Sequence, residues 1–390
     1  MDKPFQGLDY FDVDELLSDE EKLIRDTVRQ FVDERVLPII VDCARNERFA
    51  EELVPEIGQM GLLGAPLEGY DCAGVGAVAY GLMLQELERG DSALRSFVSV
   101  QSSLAMFAIH SFGSEEQKQK WLPAMARGEK IGCFGLTEPD FGSNPSGLIT
   151  RAEQKKDHYL LNGNKMWITN GCIADIAVVW AKDDDGKVAG FLVEKGDEGF
   201  STTLQKGKWS LRASVTSELH FADCRLDLDR RMPEANSLGA ALSCLNQARY
   251  GIAWGAVGAA MACYHEALTY SQSRIQFDRP IASFQITQQK IADMVTDITK
   301  AQLLALRLGR IKETRKPRPQ QVSLAKRNNV AMALDLARVA REILGANGVT
   351  DEYCVGRHMA NLESVKTYEG THEIHTLILG EDVTGIAAYS

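Results

Sequence analysis

The chain has 390 residues, 45% of them hydrophobic and 25% charged, with a formal net charge of −11. That length allows an extensive core or several domains, and without like-charge blocks or low-complexity tracts disorder is expected only in about the first ten residues. Scattered Lys and Arg in an acidic protein exclude nucleic-acid and membrane-surface partners.

The N-terminus, MDKPFQGLDYFDVDELL, lacks the basic start and apolar run of a secretory signal, and its acidity argues against a transit peptide. Helical signals run from Ser18 to about Gly128. Ser18 and Glu21 form a capping box ahead of Leu23, Ile24, Val28, Phe31 and Val32, a run that Pro38 is expected to break. Gly113 followed by Ser114 and Gln117 repeats the stop and restart before Trp121 and Leu122. Between Ile131 and Asp229 the period is that of strands. Tyr159-Leu160-Leu161, Asn162-Gly163 and Lys165 to Thr169 read as a hairpin, because Asn-Gly supplies the positive φ of a tight turn. A second hairpin fits Ile176 to Trp180, Asp183 to Gly186 and Val188 to Val193, and Ser217 to Phe221 adds a strand. Long helices follow over Leu238 to Arg274, Phe284 to Lys312 and Pro319 to Leu344, with a last one after Asp351. The apolar stretch Gly251 to Ala262 is bracketed too closely by Arg249 and His265-Glu266 for a membrane span and reads as buried helix. The fold expected is mainly α with a central β domain: an N-terminal helical domain (1–130), a small, mostly antiparallel β domain (131–236) and a C-terminal four-helix bundle (237–390).

Several motifs lack the context their chemistry needs. Gly74-Val-Gly76-Ala-Val-Ala79 matches a dinucleotide fingerprint but has no strand before it. His372 and His375 are three apart, where the zinc-protease motif needs four, and no metal site is expected. The eight cysteines, Cys43, Cys72, Cys133, Cys172, Cys224, Cys244, Cys263 and Cys354, include no CxxC pair and read as reduced thiols in a cytosol-like compartment.

Four segments carry chemistry together. In Phe134-Gly-Leu136-Thr137-Glu-Pro-Asp-Phe-Gly142-Ser143, a hydroxyl and glycine-separated amides suit a planar heteroaromatic ring. Trp167-Ile168-Thr169 offers an aromatic wall beside a hydroxyl, although a lone strand Trp is more often core. Arg274-Ile-Gln-Phe277-Asp278-Arg-Pro280, followed by Gln285, sets a cation beside a proline-restricted turn, as a pyrophosphate requires; a solvated helix end is the ordinary meaning. In Thr367-Tyr368-Glu369-Gly370-Thr371-His372-Glu373, a Glu next to Gly can approach a ligand unobstructed, whereas an exposed helical Glu would do nothing.

In this order the four segments resemble the acyl-CoA dehydrogenase family over nearly the whole chain. The strings around Asp91 to Ser96, Ser99 to Ser103, Leu245 to Trp254 and Tyr368 to His372 are similar to glutaryl-CoA dehydrogenases in particular. The resemblance implies FAD between the β domain and the C-terminal bundle, with Glu369 as the base that removes the α-proton of an acyl-CoA thioester while a hydride leaves Cβ for the flavin. It places Phe134, Leu136, Thr137, Gly142, Ser143, Trp167, Ile168, Thr169, Thr371 and Glu373 at the cofactor. Arg274, Phe277, Gln285, Glu342, Leu344 and Gly345 would reach the FAD of a neighbouring subunit, which implies a homotetramer, a dimer of dimers. Ser143, Leu242, Asn246, Arg249 and Gly370 would line the thioester path, with Ser96 and Ser99 in the acyl site.

Arg95, with Glu88 and Tyr368, points to a dicarboxylate, so the resemblance implies oxidative decarboxylation of glutaryl-CoA to crotonyl-CoA. Electrons would pass to an electron-transfer flavoprotein, in a cytoplasmic setting. A helix-surface ion pair of Arg95 with Glu88 or Asp91 is the plainer reading. Two further readings stay open: a dehydrogenase for another short or branched acyl-CoA without decarboxylation, and a non-catalytic flavin- or acyl-CoA-binding protein. The chain departs from the family at Asn144 (usually Asp), Asp278 (usually Gly) and Glu381 (Arg in glutaryl enzymes).

Overall fold

The computed structural model describes residues 5–388. The first region holds helices α1 (Asp19–Phe31), α2 (Leu37–Arg45), α3 (Val54–Gln59), α4 (Ala77–Gly90), α5 (Ser92–Ser99), α6 (Phe107–Phe112) and α7 (Glu115–Ala126). Both expected capping boxes close: Ser18 Oγ accepts from Glu21 N at 3.2 Å while Ser18 N donates back to Glu21 at 2.8 Å, and Ser114 pairs with Gln117 in the same way. Pro38 does not break the run as expected. The chain passes from α1 through a π-helical turn, Val32–Val36, into α2, with Pro38 just past that turn. A second π-helical stretch, Val100–Met106, joins α5 to α6.

The sheet comprises β1 (Gly132–Gly135), β2 (Arg151–Gln154), β3 (His158–Thr169), β4 (Ile176–Lys182), β5 (Val188–Glu194), β6 (Phe200–Leu204) and β7 (Thr216–Asp227) in the order β1-β4-β2-β3-β7-β6, with β5 against β4. The β4–β5 hairpin forms as expected: the Asp183 carboxylate accepts from Asp185 N and Lys187 N, and Gly186 takes φ +75°. The Asn162-Gly163 hairpin does not form. β3 runs straight through both residues, and they make a bulge against β7. Asn162 exchanges hydrogen bonds with Asp223 across the strands, while a Cβ on Gly163 would lie 2.5 Å from Thr150 Oγ1. The positive φ serves a bulge rather than a turn. A second irregularity, between Lys165 and Ile168, turns Trp167 outward.

Beyond the sheet lie α8 (Leu238–Ser273), a short ribbon β8 (Ile275–Gln276) and β9 (Arg279–Pro280), α9 (Gln285–Thr314), α10 (Pro319–Ile343), α11 (Cys354–Thr367) and α12 (His372–Thr384). Here the single last helix expected after Asp351 is two, separated at Tyr368–Thr371. The small residues of the α8 middle are buried throughout, and no helix among the described residues is long and apolar enough to cross a membrane. One core joins α4 and α5 to Tyr250, Trp254 and Leu306 of α8 and α9; another joins α6 and α7 to Phe134, Ile176 and Trp180 of the sheet. The helical ends and the sheet are therefore packed around common interiors.

Candidate active site

Glu88 closes α4, and Asp91 starts α5 by accepting from Ala93 N at 2.8 Å. Asp91 is itself held from α11 by Arg357 (2.8 Å) and Asn361 (3.0 Å), so the α4–α5 corner is fixed to the C-terminal bundle. Across that corner Arg95 Nε donates to Glu88 Oε2 at 2.5 Å, and Ser92 Oγ donates to Glu88 Oε1 at 2.8 Å. Both members of the ion pair have fully buried side chains, which rules out the surface-pair reading of Arg95. Gly255 of α8 makes room for them, since a Cβ there would lie 1.9 Å from Glu88 Oε2. Arg95 Nη2 donates to the Tyr368 hydroxyl; burial works against the guanidinium's charge, but Glu88 above all, with Tyr368, more than offsets it and holds the proton more tightly than usual.

The α11–α12 break presents Glu369. Its φ is +52°, in the left-handed region that a residue with a Cβ rarely adopts, and Gly370 follows at +91°. Gly370 has little alternative, because a Cβ would lie 3.0 Å from His375 Nε2 and 3.1 Å from Arg249 Nη2. Thr371 caps α12, accepting from Ile374 N at 3.2 Å. The carbonyls of the break are held by cations: Tyr368 O and Gly370 O by Lys326 Nζ (2.5 and 2.6 Å), and Glu369 O by Arg249 Nε (2.7 Å).

Burial pushes the Glu369 carboxyl above the ordinary carboxylate range, against the opposing pull of Arg95, Lys326 and Arg249. Burial likewise works against the charge on Lys326, with the neighbouring Glu369 carboxylate pulling the other way and favouring the ammonium. Arg95 Nη1, Ser99 Oγ and Glu369 Oε2 are buried without a hydrogen-bond partner among the described residues. Three orphaned polar atoms on α5 and the α11–α12 break mark a place built for a polar ligand.

On the sheet, Phe134 and Leu136 are buried at the end of β1, Thr137 is half-buried, and Gly142 and Ser143 lie exposed on the following loop. Thr137 O accepts from Met166 N at 2.9 Å, which ties that loop to the β3 irregularity. Below it a sealed ion pair, Lys165 Nζ to Glu138 at 2.8 Å, fixes the loop further, with Glu138 accepting from Ile149 N and Thr150 N. Trp167 is 58% exposed at φ +62°, while Ile168 is buried and Thr169 half-buried. An outward indole, on a strand tied to the start of an open glycine loop, fits a planar ring stacked on the sheet.

Leu242, Asn246 and Arg249 lie along α8, and Asn246 Oδ1 accepts from Arg249 Nη1 at 3.3 Å. Ser96 is buried on α5, and Glu373 is exposed in the first turn of α12. Arg274, Phe277 and Gln285 are exposed at the α8–α9 corner, near which Lys290 pairs with Glu342 at 2.9 Å. Leu344 there is buried and Gly345 exposed. Arg274, Phe277, Gln285, Glu342 and Gly345 stand on the outer surface, whereas Glu88, Arg95, Arg249, Tyr368 and Glu369 converge. Asp278, at φ +63°, and Glu381 are exposed, and Asn144 Oδ1 accepts from Ser146 Oγ at 2.5 Å. Sequence reasoning missed Ser92, Glu138, Lys165 and Lys326. For Lys326 a signal existed: it lies four residues from Val322 and Val330, on the inward stripe of α10.

The chain matches the family models for the acyl-CoA dehydrogenase N-terminal domain over residues 18–129, the middle domain over 133–224 and the C-terminal domain over 238–384. It belongs to the acyl-CoA dehydrogenase family. A crystal structure of glutaryl-CoA dehydrogenase from Mycobacterium smegmatis is 56% identical, covers 97% of this chain and 98% of its own, and superposes with a TM-score of 0.96. A second glutaryl-CoA dehydrogenase structure from Mycobacterium smegmatis, in complex with FADH2, is 51% identical, with 99% and 100% coverage and a TM-score of 0.97. The short-chain specific acyl-CoA dehydrogenase of Clostridium acetobutylicum is 35% identical over 93% of this chain and 97% of that protein.

Proposed function

We propose that the chain oxidises glutaryl-CoA between Cα and Cβ and releases the distal carboxylate as carbon dioxide, giving crotonyl-CoA. FAD is the cofactor, and an electron-transfer flavoprotein is the acceptor. The observation that carries this reading is a cation sealed from solvent beside the base: Arg95 is fully buried, pairs with Glu88, touches Tyr368 and keeps Nη1 unpartnered. An aliphatic chain offers that N–H nothing, and a distal carboxylate satisfies it. In this reading Glu369 takes the α-proton on its carboxylate, helped by the raised affinity that burial confers. When bound, FAD supplies the acceptor for the hydride from Cβ. Arg95 holds the distal carboxylate until carbon dioxide leaves. The electron pair of the broken bond then enters the conjugated thioester, and a proton at Cγ completes crotonyl-CoA.

The likeness to the glutaryl-CoA dehydrogenases of Mycobacterium smegmatis supports the reading. One feature favours a second: Glu88 already balances the charge of Arg95, which suits a short acyl-CoA without a distal charge, and the Clostridium relative is described as short-chain specific. Anaerobic incubation with glutaryl-, butyryl- and isobutyryl-CoA separates the two. Fastest bleaching of the flavin by glutaryl-CoA supports the first reading, and preference for butyryl-CoA the second. A homotetramer belongs to the same proposal, supported by Phe277 (87% exposed) and Ile286 (73% exposed) beside Arg274 and Gln285, an apolar surface for a neighbouring subunit.

A further inference from the structure

Lys326 is 1% exposed, and its ammonium donates to backbone carbonyls rather than to a carboxylate. Burying a cation this way is costly, and a Leu or Met on the inward face of α10 would avoid the cost. The compensation lies in what the ammonium spans: it binds Tyr368 O and Gly370 O, the carbonyls on either side of Glu369. Arg249 takes the carbonyl between them, so three successive carbonyls of the α11–α12 break turn towards cations. That arrangement keeps Glu369 at φ +52° and Gly370 at +91°, conformations that the intervening peptides would otherwise leave.

We propose that Lys326 is a positioning residue for Glu369: it clamps the Tyr368–Gly370 segment in its left-handed turn and keeps a positive charge beside the carboxylate. The proposal rests on Glu369 being the base. The other charged or titratable groups facing Glu369 are Arg95 on α5, Arg249 on α8, Tyr80 on α4, His375 on α12 and the adjoining Tyr368. Burial, with Lys326 and Arg249 nearby, takes His375 down to about 3, so it stays neutral over the working range. Tyr80 and Tyr368 are pushed upward by burial and stay neutral as well. Arg95 and Arg249 are present and charged in both Lys326 variants. Lys326 is then the group whose removal changes the field at Glu369.

The test uses the full-length flavin-loaded protein, with Lys326→Met, Lys326→Gln and Glu369→Gln compared against wild type for flavin reduction by glutaryl-CoA and butyryl-CoA across pH. Lys326→Met is expected to slow reduction about 10- to 100-fold, with KM within about 3-fold, because the reacting geometry loosens while the binding contacts remain. Its acid limb moves to higher pH by about one unit, since loss of a nearby cation raises a carboxyl pKa. Lys326→Gln, which keeps a donor but no charge, recovers part of the rate and leaves the limb displaced. In the same flavin-loaded protein without thioester, Lys326→Met speeds amide hydrogen exchange over 367–371 and leaves the α8 core protected. A wild-type rate, or a slowed rate with an unmoved limb in both Lys326 variants, overturns the proposal. If Lys326→Met does not fold, the limb of Lys326→Gln decides. Near-normal turnover by Glu369→Gln would instead remove the base reading, whatever the Lys326 variants do.

Discussion

Arg95 and Glu88 form an ion pair with no side-chain exposure on either partner, closed at 2.5 Å between Nε and Oε2. Taking one charge from such a pair leaves the other buried alone, which costs about 3 to 5 kcal/mol. Glu88→Ala is therefore expected to lose stability of that order in urea unfolding, and Glu88→Ala with Arg95→Met to recover most of it. A loss below about 1 kcal/mol in the single variant would mean that solvent reaches the pair.

On the proposed reading the same buried guanidinium sets substrate choice. Arg95→Ala should cost glutaryl-CoA about 1.5 to 3 kcal/mol, about 10- to 150-fold in kcat/KM, as expected for a lost charged hydrogen bond. Butyryl-CoA should lose far less. Equal losses for both thioesters would assign Arg95 to the packing of α4 against α5.

Glu369 accepts a proton only when ionised, and burial raises its pKa. The rate of flavin reduction should therefore rise with pH along a limb above the ordinary carboxylate value of about 4.3. Glu369→Gln should reduce the rate about 10²-fold or more and abolish that limb while thioester binding persists. A limb that survives the substitution would belong to another group.

Trp167 faces outward at an irregularity of β3 and is 58% exposed. Trp167→Ala should weaken FAD binding about 10-fold, read from the flavin-to-protein absorbance ratio after dialysis, and Trp167→Phe should restore most of it. An unchanged ratio in the Ala variant would take the indole out of the cofactor site.

Much of this was legible because the signals are local. A capping box such as Ser18 with Glu21 closes within one turn, and the Asp183-to-Gly186 corner contains its own acceptors and its own positive φ. Asn162-Gly163 carried the same local signal, yet its partners, Asp223 and Thr150, come from other parts of the sheet and make it a bulge. The break at Tyr368–Thr371 was hidden by an apolar helical pattern on both sides. Thr371 as a cap, with Gly370 before it, could have revealed it. The role of Lys326 depends on carbonyls 42 and 44 residues later in the chain, beyond the reach of any periodicity.

Glutaryl-CoA labelled at its distal carboxylate, mixed anaerobically with the flavin-loaded protein and a flavoprotein acceptor, tests the central claim most directly. Labelled carbon dioxide equal in amount to the acceptor reduced, with crotonyl-CoA as the thioester product, is the result expected. Reduction of the acceptor without release of label, or no reduction at all with glutaryl-CoA while butyryl-CoA reacts, would contradict the assignment of Arg95, Glu88 and Tyr368 to a decarboxylating site.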